Sequence, residues 1–190
     1  MSEAWVLMAE GFEEIEFTVT VDILRRAGVD VKTVSLNSSL DPVLGSRDIK
    51  MIPDTTLDKV LDTSCDMLIL PGGVEGSFRL GNDPRVLKLI QKMAEEKRLV
   101  ASICAASTVL IKAGVLSGLN ATSHPGVEGE MVGIVYQRHR VVVDGHFITS
   151  RAPGTAFDFA FKLVELLVGR EKVWEVNTGV LAIIPDHLPE

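Results

Sequence analysis

The chain has 190 residues and a formal net charge of −7, and 46% of its residues are hydrophobic against 24% charged. This composition is typical of a globular protein with a sizeable core, and the length fits one domain over residues 1–190. The negative charge argues against nucleic acid or an anionic membrane as a partner.

Features of targeting and redox chemistry point to a reducing compartment. No apolar run approaches the roughly 20 residues that a membrane span needs, and the N-terminus lacks the basic region of a secretory signal. The two cysteines, Cys65 and Cys104, are therefore expected to be free thiols in a cytoplasmic protein.

The first third of the chain predicts a parallel βαβ unit. A strand, an amphipathic helix closed by Gly28 and a second strand follow one another, and such a unit places its strands in a parallel sheet. The predicted elements are, in order, a strand over 4–9, a helix over 15–27, a strand over 29–36, a loop over 37–45, an outer hairpin strand over 47–52 and a helix over 57–61.

The remainder continues this alternation. A proline at the first helical position, Pro84, opens one helix, and Asp144-Gly145 forms the turn of a hairpin. The predicted elements are a strand over 66–70, helix over 83–97, strand over 99–103, helix over 105–115, strand over 122–123, hairpin strands over 141–143 and 146–149, and helices over 153–168 and 170–183. Together they predict an α/β fold, a flavodoxin-like three-layer sandwich with a mostly parallel central sheet.

The most informative stretch is the apolar strand that stops at Cys104, where a helix begins at once. This is the pattern of a nucleophile elbow, and the small neighbours Ala101 and Ala105 suit its crowded turn. A helix N-terminus contributes up to about 2 kcal/mol, which lowers a thiol pKa of about 8.5 by only about one unit. A strongly acidic Cys104 would need further donors.

The carboxyl ends of parallel strands meet at one edge of a sheet, so residues that follow those strands are candidates for these donors. The first strand leads to residues 10–16, the strand over 66–70 leads to Gly72-Gly73, and the strand over 122–123 leads to His124. We expect all three segments to lie near Cys104.

Six motifs in register then resemble those of the ThiJ/PfpI superfamily, in its branch that contains the parkinsonism-associated deglycase. The resemblance runs from the first strand to the last helices. The motifs are Gly11-Phe12-Glu13-Glu14-Ile15-Glu16, Ser46-Arg47-Asp48, Leu70-Pro71-Gly72-Gly73, Ala101-Ser102-Ile103-Cys104-Ala105, Ser123-His124-Pro125 and Thr149-Ser150-Arg151-Ala152-Pro153-Gly154-Thr155.

The resemblance implies a site without a cofactor. It implies that Cys104 is the nucleophile, that Glu16 and His124 complete the catalytic group, and that Gly73 and Ala105 supply backbone N–H groups to an oxyanion. An ionised carboxylate beside a thiolate would raise the thiol pKa, so we expect Glu16 to be protonated at neutral pH and to donate to an anionic sulfur. Cys65 is expected to be an inert residue.

Other charged residues carry weaker expectations. The resemblance implies a homodimer formed through the first helix, with Arg26 near the partner's site. Arg47 and Arg151 are either anion-binding residues or members of surface ion pairs. Glu13 and Glu14 are expected to be surface charges.

Two segments depart from the pattern of the closest branch. Ala106-Ser107 stands where Gly-Pro is common, and Ala152 stands where glycine is common. Neither change removes a group that does chemistry, so both bear on pocket shape and specificity more than on activity.

The sequence lacks the usual motifs of three alternative site classes. Cysteine, glutamate and histidine can ligate zinc, but the sequence has no CxxC or HExxH pattern. A class I glutamine amidotransferase needs a His-x-Glu pair after the elbow cysteine, and none follows Cys104. No GxGxxG or Walker sequence indicates a nucleotide site.

Two functions of different classes follow from the predicted site. One is a cofactor-independent enzyme that converts methylglyoxal or glyoxal to a 2-hydroxy acid, or removes such dicarbonyls from glycated protein amines and thiols. The other is an oxidative-stress sensor or redox-regulated chaperone that works through a sulfinate at Cys104.

Overall fold

A central seven-stranded sheet runs through the computed structural model, which describes residues 1–182. The described residues form eleven strands, which are β1 (Glu3–Met8), β2 (Asp30–Ser35), β3 (Val43–Leu44), β4 (Lys50–Met51), β5 (Thr55–Thr56), β6 (Met67–Leu70), β7 (Leu99–Ile103), β8 (Asn120–Ala121), β9 (Val135–Tyr136), β10 (Val141–Asp144) and β11 (Phe147–Ser150). Seven of them form the central sheet in the order β10-β11-β7-β6-β1-β2-β5, in which only the β10–β11 pair is antiparallel. The pairs β3–β4 and β8–β9 form two separate two-stranded sheets.

Helices cover both faces of this sheet. They are α1 (Glu14–Arg26), α2 (Leu57–Val60), α3 (Val74–Asn82), α4 (Pro84–Glu95), α5 (Ser107–Lys112), α6 (Ala156–Val168) and α7 (Arg170–Val180). Short 3₁₀ turns lie at Cys104–Ala106, Pro125–Glu130 and Pro153–Thr155.

Alternation along β1 explains the two cores. Val6 and Met8 face the side of α1, α6 and α7, where Phe159 and Phe161 are fully buried. Trp5 and Leu7 face the side of α4 and α5. Because successive side chains of a strand point to opposite faces, one buried strand serves both layers. The predicted three-layer flavodoxin-like sandwich is confirmed.

The register of the central strands sets the position of the site. β1 pairs Val6 with Ile69 of β6, and β6 pairs Leu70 with Ser102 of β7. These three parallel strands therefore end at the same edge, beside the point where the chain order reverses from one side of β1 to the other. That edge is where open α/β sheets place their sites.

Most element boundaries fall within two residues of the prediction, but α3 was not predicted. Its segment contains Gly76, Ser77 and Gly81, which lower helix propensity. The helix nevertheless forms because its small residues permit close packing. A Cβ on Gly76 would lie 2.9 Å from the Cα of Phe12.

Smaller differences concern short elements. The predicted loop over 37–45 contains β3, the predicted strand over 122–123 lies two residues earlier as β8, and β5 and β9 were not predicted. The helix after Cys104 begins with a 3₁₀ turn and ends at Lys112 instead of residue 115. The last helix ends at Val180, and the predicted endpoint, residue 183, lies outside the described residues.

Within residues 1–182, no helix combines the length and the apolar character that crossing a membrane requires.

Candidate active site

Cys104 lies in the turn that joins β7 to α5. Its backbone is left-handed, with φ of 64°, a conformation that is strained for a residue with a side chain. A 3₁₀ turn over Cys104–Ala106 then leads into α5, and the cysteine is partly exposed. The predicted strand-to-helix elbow is therefore present at this position.

The Pro71-Gly72-Gly73 turn packs directly against the elbow. A Cβ on Gly72 would lie 2.6 Å from the Cβ of Cys104 and 2.5 Å from Oε2 of Glu16. A Cβ on Gly73, whose φ is +92°, would lie 2.2 Å from the carbonyl oxygen of Gly11. Glycine is required at both positions because the turn is pressed between α1 and Cys104.

Two backbone N–H groups lie within hydrogen-bonding reach of the Cys104 sulfur. The amides of Ala105 and Gly73 hydrogen-bond to Cys104 and act to lower its pKa. They come from the residue after the cysteine and from the glycine turn at the end of β6. The structure thus places both predicted oxyanion donors beside the candidate nucleophile.

Glu16 is fully buried on the first turn of α1. Its Oε2 accepts the N–H of Gly72 at 2.8 Å, while Oε1 has no hydrogen-bond partner among the described residues. Burial is the main reason that the pKa of Glu16 is raised to about 7. The carboxyl therefore gains and loses a proton near neutral pH, and its expected role as a donor to an anionic Cys104 sulfur stays a prediction.

The prediction of an acidic thiol is wrong for Cys104 taken by itself. Burial, followed by the charge and hydrogen bonding of Glu16, raises the pKa of Cys104 to about 12, against the smaller opposite effect of the two amides. The helix-dipole argument omitted this loss of hydration. Because the two groups are coupled, one proton leaves the pair near pH 7 and the second leaves far above it.

His124 is attached to the elbow through its backbone. Its N–H donates to the carbonyl of Cys104 at 3.2 Å. The imidazole is exposed, and Nδ1 accepts the N–H of Gly126 at 3.0 Å, which caps the 3₁₀ turn over Pro125–Glu130. The structure brings the residue to the site, but its side chain acts as a cap, and its catalytic role stays a prediction.

Glu14 is a buried structural residue that the sequence reasoning placed at the surface. It is 4% exposed, not a surface charge, and its carboxylate accepts from the hydroxyl of Ser46 at 3.0 Å and the N–H of Arg47 at 2.5 Å. These bonds hold the loop after β3 over the start of α1. The neighbouring Glu13 caps α1 by accepting the N–H of Glu16 at 2.8 Å, so both glutamates fix the helix turn that carries Glu16.

The arginines lie outside this compact group. The Arg47 guanidinium is exposed and donates to the carbonyl of Ser46 at 2.9 Å. Arg26 pairs with Asp22 on its own helix at 2.6 Å. The predicted roles of Arg47 as an anion binder and of Arg26 beside a partner's site stay predictions.

Arg151 follows β11, whose Ser150 pairs with Ile103, so it emerges at the same sheet edge as Cys104. Its Nη1 donates to the carbonyl of Arg138 at 3.2 Å, and its buried Nε has no hydrogen-bond partner within residues 1–182. No ion pair involves Arg151 within residues 1–182, and its role as an anion binder stays a prediction.

No group of three or more histidine, cysteine, aspartate or glutamate side chains in the described part of the chain is arranged to hold a metal ion. Cys65, the second thiol, is 1% exposed, and burial raises its pKa to about 12.

Comparison with known proteins agrees with this geometry. The sequence model of the DJ-1/PfpI family matches residues 2–166. The chain is 44% identical over 180 residues to protein dj-1beta of Drosophila melanogaster, which covers 94% of this chain and 96% of the relative. The chain belongs to the DJ-1/PfpI family.

Other DJ-1/PfpI relatives and solved structures extend this result. The Parkinson disease protein 7 homolog of Danio rerio is 37% identical over 94% of this chain and 96% of its own length. A Caenorhabditis elegans relative named glutathione-independent glyoxalase DJR-1.2 is 37% identical over 88% and 89%. The crystal structure of Drosophila DJ-1beta superposes with a TM-score of 0.94 and covers 97% of this chain and 100% of that one.

The departures from the DJ-1/PfpI pattern fit the structure without strain. Ser107 is fully buried, and its hydroxyl lies 3.0 Å from that of Ser102, which joins α5 to β7 behind the elbow. Ala152 has φ of −167°, extended backbone that any residue adopts, so glycine is not required there. The elbow therefore keeps its shape with this chain's own residues.

The requirement for glycine at position 72 can be tested by substitution. Gly72→Ala is expected to push the Glu16 carboxyl and Cys104 apart, because overpacking of this kind typically costs about 1–3 kcal/mol. Because the charge of Glu16 raises the pKa of Cys104, moving the carboxyl away should increase the thiolate fraction, and we expect alkylation of Cys104 by iodoacetamide at pH 7.5 to become at least about threefold faster, followed by peptide mass spectrometry. Gly129→Ala, where nothing lies within 4 Å of the new Cβ, is the matched control. An alkylation rate in Gly72→Ala equal to that of the control would contradict the close packing.

Proposed function

We propose that this protein is a cofactor-independent enzyme for reactive dicarbonyls, which converts methylglyoxal to lactate and releases the same group from glycated amines and thiols. The observation that carries the proposal is the buried Glu16 carboxyl, with one unpartnered oxygen, beside Cys104 and two amide donors. The name of the Caenorhabditis elegans relative, a glutathione-independent glyoxalase, supports the same chemistry.

The first step joins Cys104 to the aldehyde carbon. A carbon–sulfur bond forms as the thiol proton passes to Glu16, and the carbonyl electron pair moves onto oxygen. The amides of Gly73 and Ala105 stabilise this oxyanion, which then takes the proton back from Glu16. The product is a hemithioacetal, and Glu16 is again a carboxylate.

The second step moves a proton between the two carbons. Glu16 removes the proton from the former aldehyde carbon, giving an enediolate, and delivers it to the neighbouring carbon while the hydroxyl proton on the first carbon passes to the oxygen of the second. The first carbon becomes a thioester while the second becomes a secondary alcohol, so oxidation and reduction balance within the substrate. Water then cleaves the thioester, and 2-hydroxy acid and free Cys104 result. A carboxyl with a pKa of about 7 suits both directions of this transfer.

Substitution of the two central residues tests the proposal. Because proton transfer by a positioned group contributes about 10²–10⁴-fold, we expect Cys104→Ser and Glu16→Gln each to lower lactate formation from methylglyoxal by at least about 100-fold. Lactate would be measured enzymatically after quenching. Cys65→Ala is the control for loss of a thiol. Undiminished turnover in either active-site variant would overturn the mechanism.

A second candidate function, an oxidative-stress sensor, is favoured by one observation. The unpartnered Oε1 of Glu16 and the amides of Gly73 and Ala105 would also supply hydrogen bonds to a sulfinate on Cys104.

Intact-mass analysis after mild peroxide treatment distinguishes this role. We expect a gain of two oxygens on Cys104 alone, because Cys104 is partly exposed whereas Cys65 is 1% exposed and out of reach of peroxide. In Glu16→Gln the Cys104 sulfinate would lack the hydrogen bond from the carboxyl, so we expect Cys104 to be oxidised beyond the sulfinate. Equal oxidation of Cys65 and Cys104 would argue against a built sulfinate site.

A further inference from the structure

A cleft of about 630 Å³ opens at the carboxyl ends of β1 and β2. Its walls come from the residues after those strands, from the outer side of α3 and from the start of α4. Five of its lining residues matter here: Glu10, Phe78, Arg79, Asp83 and Arg85. None of Cys104, Glu16 and Gly73 lines it, so the cleft is separate from the candidate active site.

The arginines in the wall are already paired. Arg79 contacts Glu75 at 2.8 Å. Arg85 contacts Asp83 at 2.5 Å and Asp58 at 2.7 Å. With each guanidinium neutralised by an acidic neighbour, the cleft does not offer a site for an anion.

Glu10 is a carboxylate without a cation. Its Oε2 accepts the N–H of Leu44 at 2.9 Å, and no ion pair involves it within residues 1–182. The Phe78 side chain in the same wall is 67% exposed. Both residues line the cleft, and a cleft that holds a carboxylate and an exposed aromatic ring suits a cation, since a planar guanidinium can stack on a ring and bond to a carboxylate.

The cleft begins close to the active site. Gly11, which follows Glu10, packs against Gly73, since its carbonyl oxygen would lie 2.2 Å from a Cβ on Gly73. The amide of Gly73 in turn hydrogen-bonds to Cys104. Phe78 follows Gly73 by five residues along α3, a rise of about 7.5 Å. Two or three residues of an extended polypeptide, at about 3.3 Å each, span such a distance.

We propose that this cleft, the Glu10 cleft, binds the guanidinium of an arginine that lies two or three residues from the modified residue of a substrate polypeptide. The proposal rests on the proposed function, since it names the protein-bound class of dicarbonyl adduct that the active site would take. Glu10 supplies the charge and Phe78 supplies the stacking surface.

Binding of unmodified peptides tests the cleft independently of turnover. Two acetylated heptapeptides would be identical except for a central arginine or the neutral isostere citrulline, and each would be titrated into the full chain by NMR. We expect the arginine peptide to bind at least about 5-fold more tightly, and Glu10→Gln to remove this preference while keeping an acceptor for the N–H of Leu44. Phe78→Ala should reduce it about 2–3-fold.

Glu95→Gln is the matched control, since it removes the same charge from the opposite end of α4, where the side chain is exposed. It should leave the preference for arginine intact. Equal affinity for the two peptides in the unaltered protein, or an equal loss in Glu95→Gln and Glu10→Gln, would overturn the Glu10 cleft.

Turnover of free methylglyoxal separates the two proposals. Glu10→Gln should leave kcat/KM for free methylglyoxal unchanged and lower it about 5-fold for a hemithioacetal peptide with arginine three residues from the cysteine. A protein that prefers the arginine peptide but forms no lactate supports the cleft and overturns the proposed function. Equal kcat/KM for arginine and citrulline hemithioacetal peptides would overturn the substrate role of the cleft.

Discussion

The buried contact between the Glu16 carboxyl and the Cys104 thiol is the interaction on which the rest of the site depends. The carboxyl is fully buried, and one of its oxygens is held by the N–H of Gly72 at 2.8 Å. The contact exists because the turn after β6 has no side chain at Gly72, where a Cβ would strike both groups. The sheet contributes by ending β1, β6 and β7 at one edge.

Burial of the Glu16 carboxyl lowers the free energy of unfolding at neutral pH. The pKa of Glu16 rises from 4.5 to about 7 on folding, so the native state holds more protons than the unfolded state between those values. The free energy of unfolding therefore falls as the pH rises through this window, by about 3 kcal/mol in total for this one group. The fold tolerates the loss because Glu13 and Glu14 fix the surrounding turn through backbone N–H groups. Glu13 and Glu14 thus hold Glu16 in its buried position, although they take no part in the reaction themselves.

The position of the remaining proton decides how the pair reacts. The amides of Gly73 and Ala105 favour a negative charge on sulfur, whereas the amide of Gly72 favours a negative charge on the carboxyl. Above about pH 7 the pair holds one proton between two sites with opposed hydrogen bonds. Such a pair can release a thiolate to an electrophile and return the proton in the next step without help from solvent.

The elbow and the convergence of Glu16, Gly73 and Cys104 could be predicted because strand order and turn glycines are local signals, and parallel strands end together. Glu14 could not be predicted, since its burial depends on a loop that returns from more than thirty residues away. The glycines in the segment of α3 favoured a turn, and one of them, Gly76, is explained by the close approach of Phe12. The pKa of Cys104 was misjudged for the same reason: burial is a property of the whole fold.

Carbon-13 NMR of the Glu16 side-chain carboxyl and the Cys104 Cβ across pH tests the shared proton most directly. The account predicts that both signals change together with a midpoint near pH 7. A Glu16 carboxyl that titrates near its ordinary pKa of about 4.3, with a Cys104 signal that ignores that transition, would contradict it.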